Sequence, residues 1–250
     1  MSGPPPNDLL RSVALFAHLR EDDRTALNQL MRQQEYPKNR IILSAHEPCD
    51  GFYILLSGQV KVMLVAEDGR EVILSLIRKG DFFGERSLLD DEPHAASVIA
   101  MEDSRMAILH RDAFRRCIVD MPGVAVGLLR VLLRRLRAAD SRIGGLILLD
   151  VTGRVSRLLL QLADWGDGTQ ILSPPTHQII GQMVGSSRES VSRTLSALVD
   201  RGAISTSRKG IVIRDRRQLE MAAGDVLQTL PAERPQQERR SSSGLPRLEP

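Results

Sequence analysis

Four polar side chains close together in the C-terminal half could read DNA bases. They are Arg188, Glu189, Ser192 and Arg193. Arginine binds the O6 and N7 atoms of guanine with two parallel hydrogen bonds, and glutamate accepts one from the amino group of cytosine. On a helix, these four would fall in the first turn and a half, from which a recognition helix contacts base edges in the major groove. The alternative is an ordinary amphipathic helix with a charged solvent face.

The segment that must position these side chains is QIIGQMVGSSRESVSRTL at 178–195, which is typical of two helices joined by a tight turn. Ile180, Val184, Val191 and Leu195 are spaced to bury one side of such a pair. Gly185 lies where the turn needs a residue without a Cβ. Ser186 and Glu189 form an S-x-x-E pattern, which predicts a capping box that starts the second helix.

Further DNA contacts are predicted near the helix starts and beyond the second helix. Thr176, His177 and Ser187 lie where backbone N–H groups attract phosphate, although each is equally compatible with a cap or a solvated residue. Residues 204–214 indicate two short strands around Arg208-Lys209-Gly210, which predicts a wing.

The charge of the chain is unevenly distributed. Its net charge is only +3, but residues 8–121 carry 15 basic and 19 acidic residues, whereas residues 151–220 carry 10 and 6. A basic C-terminal half suits a phosphate backbone, and a mixed surface would explain the same excess. Arg and Lys therefore support a nucleic-acid partner without proving one.

Several protein classes are excluded or made improbable by the composition. Cys49 and Cys117 lie far apart, which excludes a Cys-based zinc site or a four-cysteine cluster and suggests a reduced, cytoplasmic protein. No apolar run approaches the ~20 residues of a membrane span, and the N-terminus lacks a signal-peptide core. The histidines are scattered, which argues against haem. No P-loop, H-E-x-x-H or glycine-rich nucleotide fingerprint is present, so we expect no enzyme and no metal site.

The N-terminal half is predicted to be rich in strands. Residues 9–35 have apolar residues at helical spacing. Val60, Val62 and Leu64, and then Val72, Leu74 and Leu76, alternate on either side of a D-G turn at 68–69. This pattern predicts a hairpin in an antiparallel roll or barrel.

A long helix is predicted over 122–150, with two apolar faces. One face is an a/d heptad stripe, which predicts a dimer interface. It comprises Ala125, Leu129, Leu132, Leu136, Ala139, Ile143 and Leu146. A second set, Leu128, Val131 and Leu133, requires burial against the preceding roll. The alternative is a helix enclosed in a monomeric core.

Ordered motifs give the chain a family resemblance. They are GQVKV at 58–62, EDGREVILSLI at 67–77, GDFFGE at 80–85, LDVTGRV at 149–155 and GQMVGSSRESVSR at 181–193. In this order they resemble the CRP/FNR family of bacterial transcription regulators over residues 12–220. The resemblance implies an α+β protein: a cyclic-nucleotide-binding-type β-roll sensor at 9–121, a dimerisation helix at 122–150, and a winged helix-turn-helix at 151–222. We expect disorder at 1–8 and 231–250.

The same resemblance implies a function. Arg188, Glu189 and Arg193 match the family residues that read a half-site like TGTGA, so the prediction is a homodimer on a pseudo-palindromic operator, with RNA polymerase as a partner and no membrane association. Activation and repression both stay open. A cyclic-nucleotide module whose C-terminal unit contacts only protein is the competing class.

The effector pocket implied by the resemblance departs from the family pattern. Its positions are Gly84, Glu85, Arg86, Ser87, His94, Ala95, Ala139 and Asp140. His94 replaces the arginine that clamps the cyclic phosphate, and neutral histidine offers fewer donors than arginine. Ala95 lacks a hydroxyl, and Asp140 would repel an anion. Arg86 could supply replacement charge. The sequence predicts no resident cofactor and argues against cAMP, and the alternative is gating by a cyclic nucleotide or another small effector.

Overall fold

A computed structural model describes residues 10, 13, 15, 16, 19–48, 50–207 and 209–224. The predicted disordered segments, 1–8 and 231–250, lie outside these residues. The N-terminal part comprises α1 (Glu21–Gln29), β1 (Met31–Tyr36), β2 (Ile41–Leu43), β3 (Gly51–Ser57), β4 (Gln59–Val65), β5 (Glu71–Arg78), β6 (Phe82–Phe83), α2 (Glu85–Leu89), β7 (Ser97–Ala100), β8 (Ser104–His110) and α3 (Arg111–Asp120). The helical spacing predicted over 9–35 is wrong beyond residue 30, because 31–36 pair with β8 as an edge strand.

The strands form the predicted roll from two four-stranded antiparallel sheets. Their orders are β1-β8-β3-β6 and β2-β7-β4-β5. Aromatic rings fill the space under the first sheet, where Phe52 stacks on Phe114 with centroids 4.6 Å apart. The buried core of the roll also takes in Val124, Leu128 and Val131 of the next helix, so that helix is part of the same packing unit.

The β4–β5 hairpin is as predicted in its turn but not in its alternation. Gly69 has the positive φ that the D-G turn requires. A β-bulge then interrupts the ladder: Val62 pairs with Ser75 and Met63 with Ile73, which leaves Leu74 as the extra residue on β5. The bulge changes the side of the sheet to which the side chains of β5 point. Ile73 and Leu76 are therefore both buried, while Val72, which the alternation placed on the same side as Leu76, is 42% exposed.

Helix α4 (Pro122–Leu148) is the predicted long helix. Its Leu128 and Val131 are buried on the roll as expected, whereas Leu133 is 51% exposed and does not belong to that face. Gly127 also lies on the roll face, where its backbone passes the carbonyl of Leu15 so closely that a Cβ would lie 2.7 Å from that oxygen.

The C-terminal part is a winged helix-turn-helix. It comprises α5 (Val151–Asp164), β9 (Gln170–Leu172), α6 (His177–Val184), α7 (Arg188–Asp200), β10 (Ile204–Ser207), β11 (Gly210–Ile213) and α8 (Arg216–Ala223). The predicted wing is the β10–β11 hairpin, and β9 adds a third strand beside β11. Its apolar core is a second cluster that also includes Met63, Ile73 and Leu76 of the roll.

Two neighbouring glycines of α4 test the close packing of this helix. Gly127→Ala should lower the free energy of unfolding by about 1–3 kcal/mol, because the new methyl group meets backbone that cannot rotate away. Gly123→Ala is the matched control, since its nearest neighbour is a side-chain carbon of Leu19 at 3.6 Å. Denaturant unfolding measures both. Equal stability of the two variants would contradict this packing.

Candidate nucleic-acid interface and effector cassette

Helix α7 begins one residue later than the capping pattern predicted. The N-cap is Ser187, whose Oγ accepts a hydrogen bond from the backbone N–H of Ser190 at 3.1 Å. The prediction of a capping box from Ser186 is therefore wrong, because Ser187 takes the N-cap and Glu189 falls on the second helical residue instead of the third. The shift of one residue leaves the predicted reading positions within the first turn and a half.

The predicted base-reading side chains project from the start of α7. Arg188, Glu189 and Arg193 are exposed, and Ser192 is half-buried. Hydrogen bonds from its own backbone N–H and from the Ser187 hydroxyl lower the pKa of Glu189, so its carboxylate is ionised and can accept at neutral pH. The start of this helix therefore offers guanidinium donors and a carboxylate acceptor on one open surface.

The first helix of the pair is held at a fixed angle to α7. Gly185 ends α6 in the left-handed conformation, φ 65°, as the tight turn requires. Thr176 is the N-cap of α6, its hydroxyl accepting from the N–H of Ile179 at 3.3 Å, and the exposed His177 is the first helical residue. Thr176, His177 and Ser187 thus lie at two neighbouring helix starts, where their contact with phosphate stays a prediction.

One arginine joins this helix pair to the end of α4. Arg154 on α5 donates from Nε to the carbonyl of Val184 at 2.8 Å, and from Nη1 to the carbonyl of Leu149 at 2.8 Å. The same guanidinium therefore binds the last residue of α6 and the link that follows α4. The first helix of the pair is thereby tied to the end of the long helix through two backbone groups.

The predicted dimer stripe of α4 is open to solvent. Exposed fractions are 60% at Leu129, 58% at Leu136, 56% at Ile143 and 51% at Leu146. Ala139 is exposed, and Ala125 and Leu132 are half-buried. A row of exposed leucines and isoleucines on one helix face is costly in water and typical of a surface that pairs.

Residues 84–95, which we call the cassette, hold six of the eight predicted pocket positions and are organised around a buried carboxylate. Glu85 is 2% exposed, and its Oε1 accepts from Nη1 of Arg135 at 2.7 Å. Arg135 reaches it from α4, where Nη2 also donates to the carbonyl of Phe82 at 2.5 Å and the guanidinium lies over the Phe82 ring. The positive charge in the cassette therefore comes from the long helix, while Arg86 points out and is exposed.

His94 lies in the cassette but is already engaged. Its Nδ1 is hydrogen-bonded to Ser87 Oγ at 3.0 Å, and both residues are buried. Burial lowers the pKa of His94 below its usual value near 6.5, so the imidazole is neutral at pH 7. A neutral ring cannot replace the permanent charge and paired donors of a guanidinium.

The loop between Glu85 and His94 is anchored from outside the cassette. Asp91, in a left-handed conformation, accepts hydrogen bonds from Arg111 at 2.7 Å and from Arg115 of α3. These two guanidinium groups, Arg115 foremost, lower the pKa of Asp91. The anchor holds the far end of the cassette against the roll.

Comparison with known proteins matches a family description to each half of the chain. The family description "Cyclic nucleotide-binding domain" matches residues 33–120, and "Crp-like helix-turn-helix domain" matches residues 153–222. The chain is 34% identical over 218 residues to a CRP-like cAMP-activated global transcriptional regulator of Mycobacterium tuberculosis, covering 85% of this chain and 97% of that protein. The chain belongs to the CRP/FNR family of transcription regulators.

Two further comparisons support this membership. The cAMP-activated global transcriptional regulator CRP of Pasteurella multocida is 38% identical over 186 residues, which is 72% of this chain and 88% of that one. The structure of FixK2 from Bradyrhizobium japonicum superposes with a TM-score of 0.71 at 25% identity, covering 78% of this chain and 98% of that one. CRP/FNR proteins are regulators and not enzymes, in agreement with the sequence-based expectation. Within the described residues, no helix is long and apolar enough to span a membrane.

Against the CRP/FNR pattern, the predicted pocket residues fall into two groups. Gly84, Glu85, Ser87 and His94 come together in the cassette, whereas Arg86, Ala95, Ala139 and Asp140 are exposed. Sequence reasoning missed Arg135, although its position gives a signal. It lies four residues after Val131 and seven after Leu128, and so on the roll-facing side of α4.

The Glu85–Arg135 pair can be tested by a mutant cycle. Arg135→Met should lower the unfolding free energy by about 1–3 kcal/mol, since it leaves a buried carboxylate uncompensated while the partial exposure of Arg135 moderates the loss. Adding Glu85→Gln should recover part of that loss. Arg134→Met, on the exposed face, is the control and should change stability by less than about 0.5 kcal/mol. Additive losses in the double variant would contradict the pairing.

Proposed function

We propose that this chain is a homodimeric regulator that reads a pseudo-palindromic, TGTGA-like operator without cAMP. In this proposal, residues 9–121 form the sensor, 122–150 the dimerisation helix and 151–222 the DNA-reading unit. RNA polymerase is the partner through which binding would alter transcription. The observation that carries the proposal is the exposed cluster of Arg188, Glu189 and Arg193 on the first turns of α7.

The homodimer is supported by the open stripe on α4. The stripe needs an apolar partner, and a second copy offers the identical row around a two-fold axis. Two reading helices related by that axis require two inverted half-sites, about one helical turn (~34 Å) apart. The operator is therefore expected to be a palindrome with a preferred spacing.

Independence from cAMP is supported by the composition of the cassette. His94 is neutral and bonded to Ser87, and Glu85 is already paired with Arg135. A cyclic phosphate entering here would meet no guanidinium at the position of His94. Relatives named as cAMP-activated make effector gating the alternative, and two buried atoms favour it: Glu85 Oε2 and His94 Nε2 have no hydrogen-bond partner among the residues that the structure describes.

Substitutions in the reading cluster test DNA recognition. Arg193→Ala or Glu189→Ala should weaken binding to a TGTGA-like palindrome by about 5- to 150-fold, equivalent to about 1–3 kcal/mol per lost base contact. Arg201→Ala, at the other end of α7, is the matched control. Gel shifts across a salt series measure affinity, and sedimentation should give two chains per duplex. The proposed base recognition is contradicted if Arg193→Ala binds the palindrome as tightly as the wild type does.

Calorimetric titration tests the independence from cAMP. Wild-type protein at neutral pH should give no saturable heat with cAMP or cGMP, because the phosphate clamp is absent. His94→Arg should bind cAMP more tightly than the wild type does, since it restores a permanent charge with paired donors. Operator affinity of the wild type should be the same with and without cAMP. A micromolar or tighter affinity of the wild type for cAMP would overturn the proposal.

A further inference from the structure

The roll and the DNA-reading unit share one apolar core. Met63, Ile73 and Leu76 of the β4–β5 hairpin belong to the same buried cluster as Ile180 and Met183 of α6. Helix α6 packs against β5. The hairpin therefore acts as a docking surface for the helix pair that carries the reading residues. We name this contact region, made by β4–β5 with α6 and the end of α5, the seam.

The bulge at Leu74 gives β5 the side-chain arrangement that the seam needs. Ile73 and Leu76 are three residues apart, so in a regular strand they would face opposite sides of the sheet. The extra residue brings both into the seam cluster, and the next residue, Ile77, belongs to the core of the roll. The bulge also frees the carbonyl of Leu74, which accepts a hydrogen bond from Arg142 of α4.

Polar contacts lie at both ends of the seam. At the hairpin end, the side-chain amide of Gln182 donates to Glu71 Oε2 at 2.6 Å. At the other end, the guanidinium carbon of Arg78 lies 3.5 Å from the centroid of the Trp165 ring, a cation–π contact. Arg78 is the last residue of β5, and Trp165 is the C-cap of α5. The stacked pair thus joins the two units directly.

The Arg78–Trp165 contact matters because the seam is incompletely packed around it. A cavity of about 430 Å³ lies between the two units, and Arg78, Trp165, Leu76 and Ile179 are among the residues that line it. Apolar contact is therefore reduced at this end. The stacked pair supplies a direct link there, so its loss should loosen the seam more than the loss of an average surface contact.

The docked arrangement leaves both predicted interaction surfaces open. Arg188, Glu189 and Arg193 are exposed, and so are Leu136 and Ile143 of the dimer stripe. Docking on the roll therefore hinders neither DNA nor a second copy of the chain. It also connects the helix pair to the roll, in addition to the covalent link at Leu149 and the hydrogen bonds of Arg154 that tie this pair to the end of α4.

We propose that the seam, latched by Arg78 on Trp165, sets the separation of the two reading helices in the dimer without a bound effector. The inference rests on the proposed function and specifies what would take the place of the effector. A rigid seam makes the dimer selective for one half-site spacing. A loosened seam lowers affinity at that spacing, because the reading helices then lose orientational freedom when they bind DNA. It also reduces the loss of affinity at other spacings.

Operator spacing gives the decisive experiment. The variants are Arg78→Met, Trp165→Leu and the more conservative Trp165→Phe, with Arg32→Met on an exposed edge strand as control. Affinity is measured on palindromes with the preferred spacing and with one or two base pairs added or removed, and on a single half-site. Arg78→Met and Trp165→Leu should each weaken binding at the preferred spacing by about 2- to 10-fold, the range expected for a partly exposed cation–π contact.

The affinities for the different DNA duplexes distinguish a change in the positions of the reading helices from a general loss of DNA binding. Arg78→Met and Trp165→Leu should both lose less affinity than the wild type does when the spacing is altered, and their affinity for a single half-site should be unchanged. Trp165→Phe should bind the preferred spacing almost as tightly as the wild type. The double variant Arg78→Met/Trp165→Leu should bind it no more weakly than either single variant. Trp165 is the sole tryptophan of the chain, so its emission should also shift in Arg78→Met and not in Arg32→Met. If Arg78→Met keeps the wild-type spacing profile, the inference fails.

The outcomes distinguish this inference from the proposed function. If the wild type binds operator only with cAMP, the proposed independence fails, and the same spacing series run with cAMP still decides whether the seam sets the separation. If Arg78→Met proves less soluble or melts early, Arg78→Lys keeps the charge at the same position. That variant should then fall between the wild type and Trp165→Leu in its spacing profile.

Discussion

The long helix α4 has to be buried on one side and free on the other, and the rest of the molecule depends on how that division is made. Leu128 and Val131 enter the core of the roll, and Arg135 and Arg142 continue the same side toward the C-terminus. These contacts fix the rotation of the helix about its own axis. That rotation decides which row of side chains stays open to solvent as the proposed dimer surface, and it also fixes the direction in which the chain leaves toward the C-terminal unit.

Arginine-to-backbone hydrogen bonds provide the joints of this architecture. Arg135 binds the carbonyl of Phe82, Arg142 that of Leu74, Arg154 those of Leu149 and Val184, and Arg157 those of Ser141 and Ala223. A guanidinium has five donors in a planar fork, so one side chain can hold two backbone groups that belong to different elements. Carbonyl acceptors are independent of side-chain identity, which lets these joints persist while neighbouring residues vary.

Periodicity predicted the elements that bury one continuous face: the roll, α4, the helix pair and the wing. It failed where a backbone irregularity changes the side of the sheet to which the side chains point. The bulge at Leu74 lies in a run of apolar residues, and no residue type in that run indicates it. The residues predicted to read bases, from Arg188 to Arg193, could be placed together at one helix start because their positions are local in the chain. The pairing of Glu85 with Arg135 could not be located in this way, because the two residues are 50 apart in the chain and meet only through tertiary packing. The seam depends on two such distant partners, Arg78 and Trp165.

Strand β5 serves two interiors at once, with Ile77 in the core of the roll and Leu76 in that of the reading unit. Neither unit can complete its own interior without this strand. The two should therefore lose structure together as one cooperative block, and an isolated C-terminal fragment would present a bare apolar face prone to self-association. The same arrangement makes each residue of this strand matter to both units: a substitution at residue 76 should alter the packing of the C-terminal unit and, through its neighbour Ile77, that of the roll.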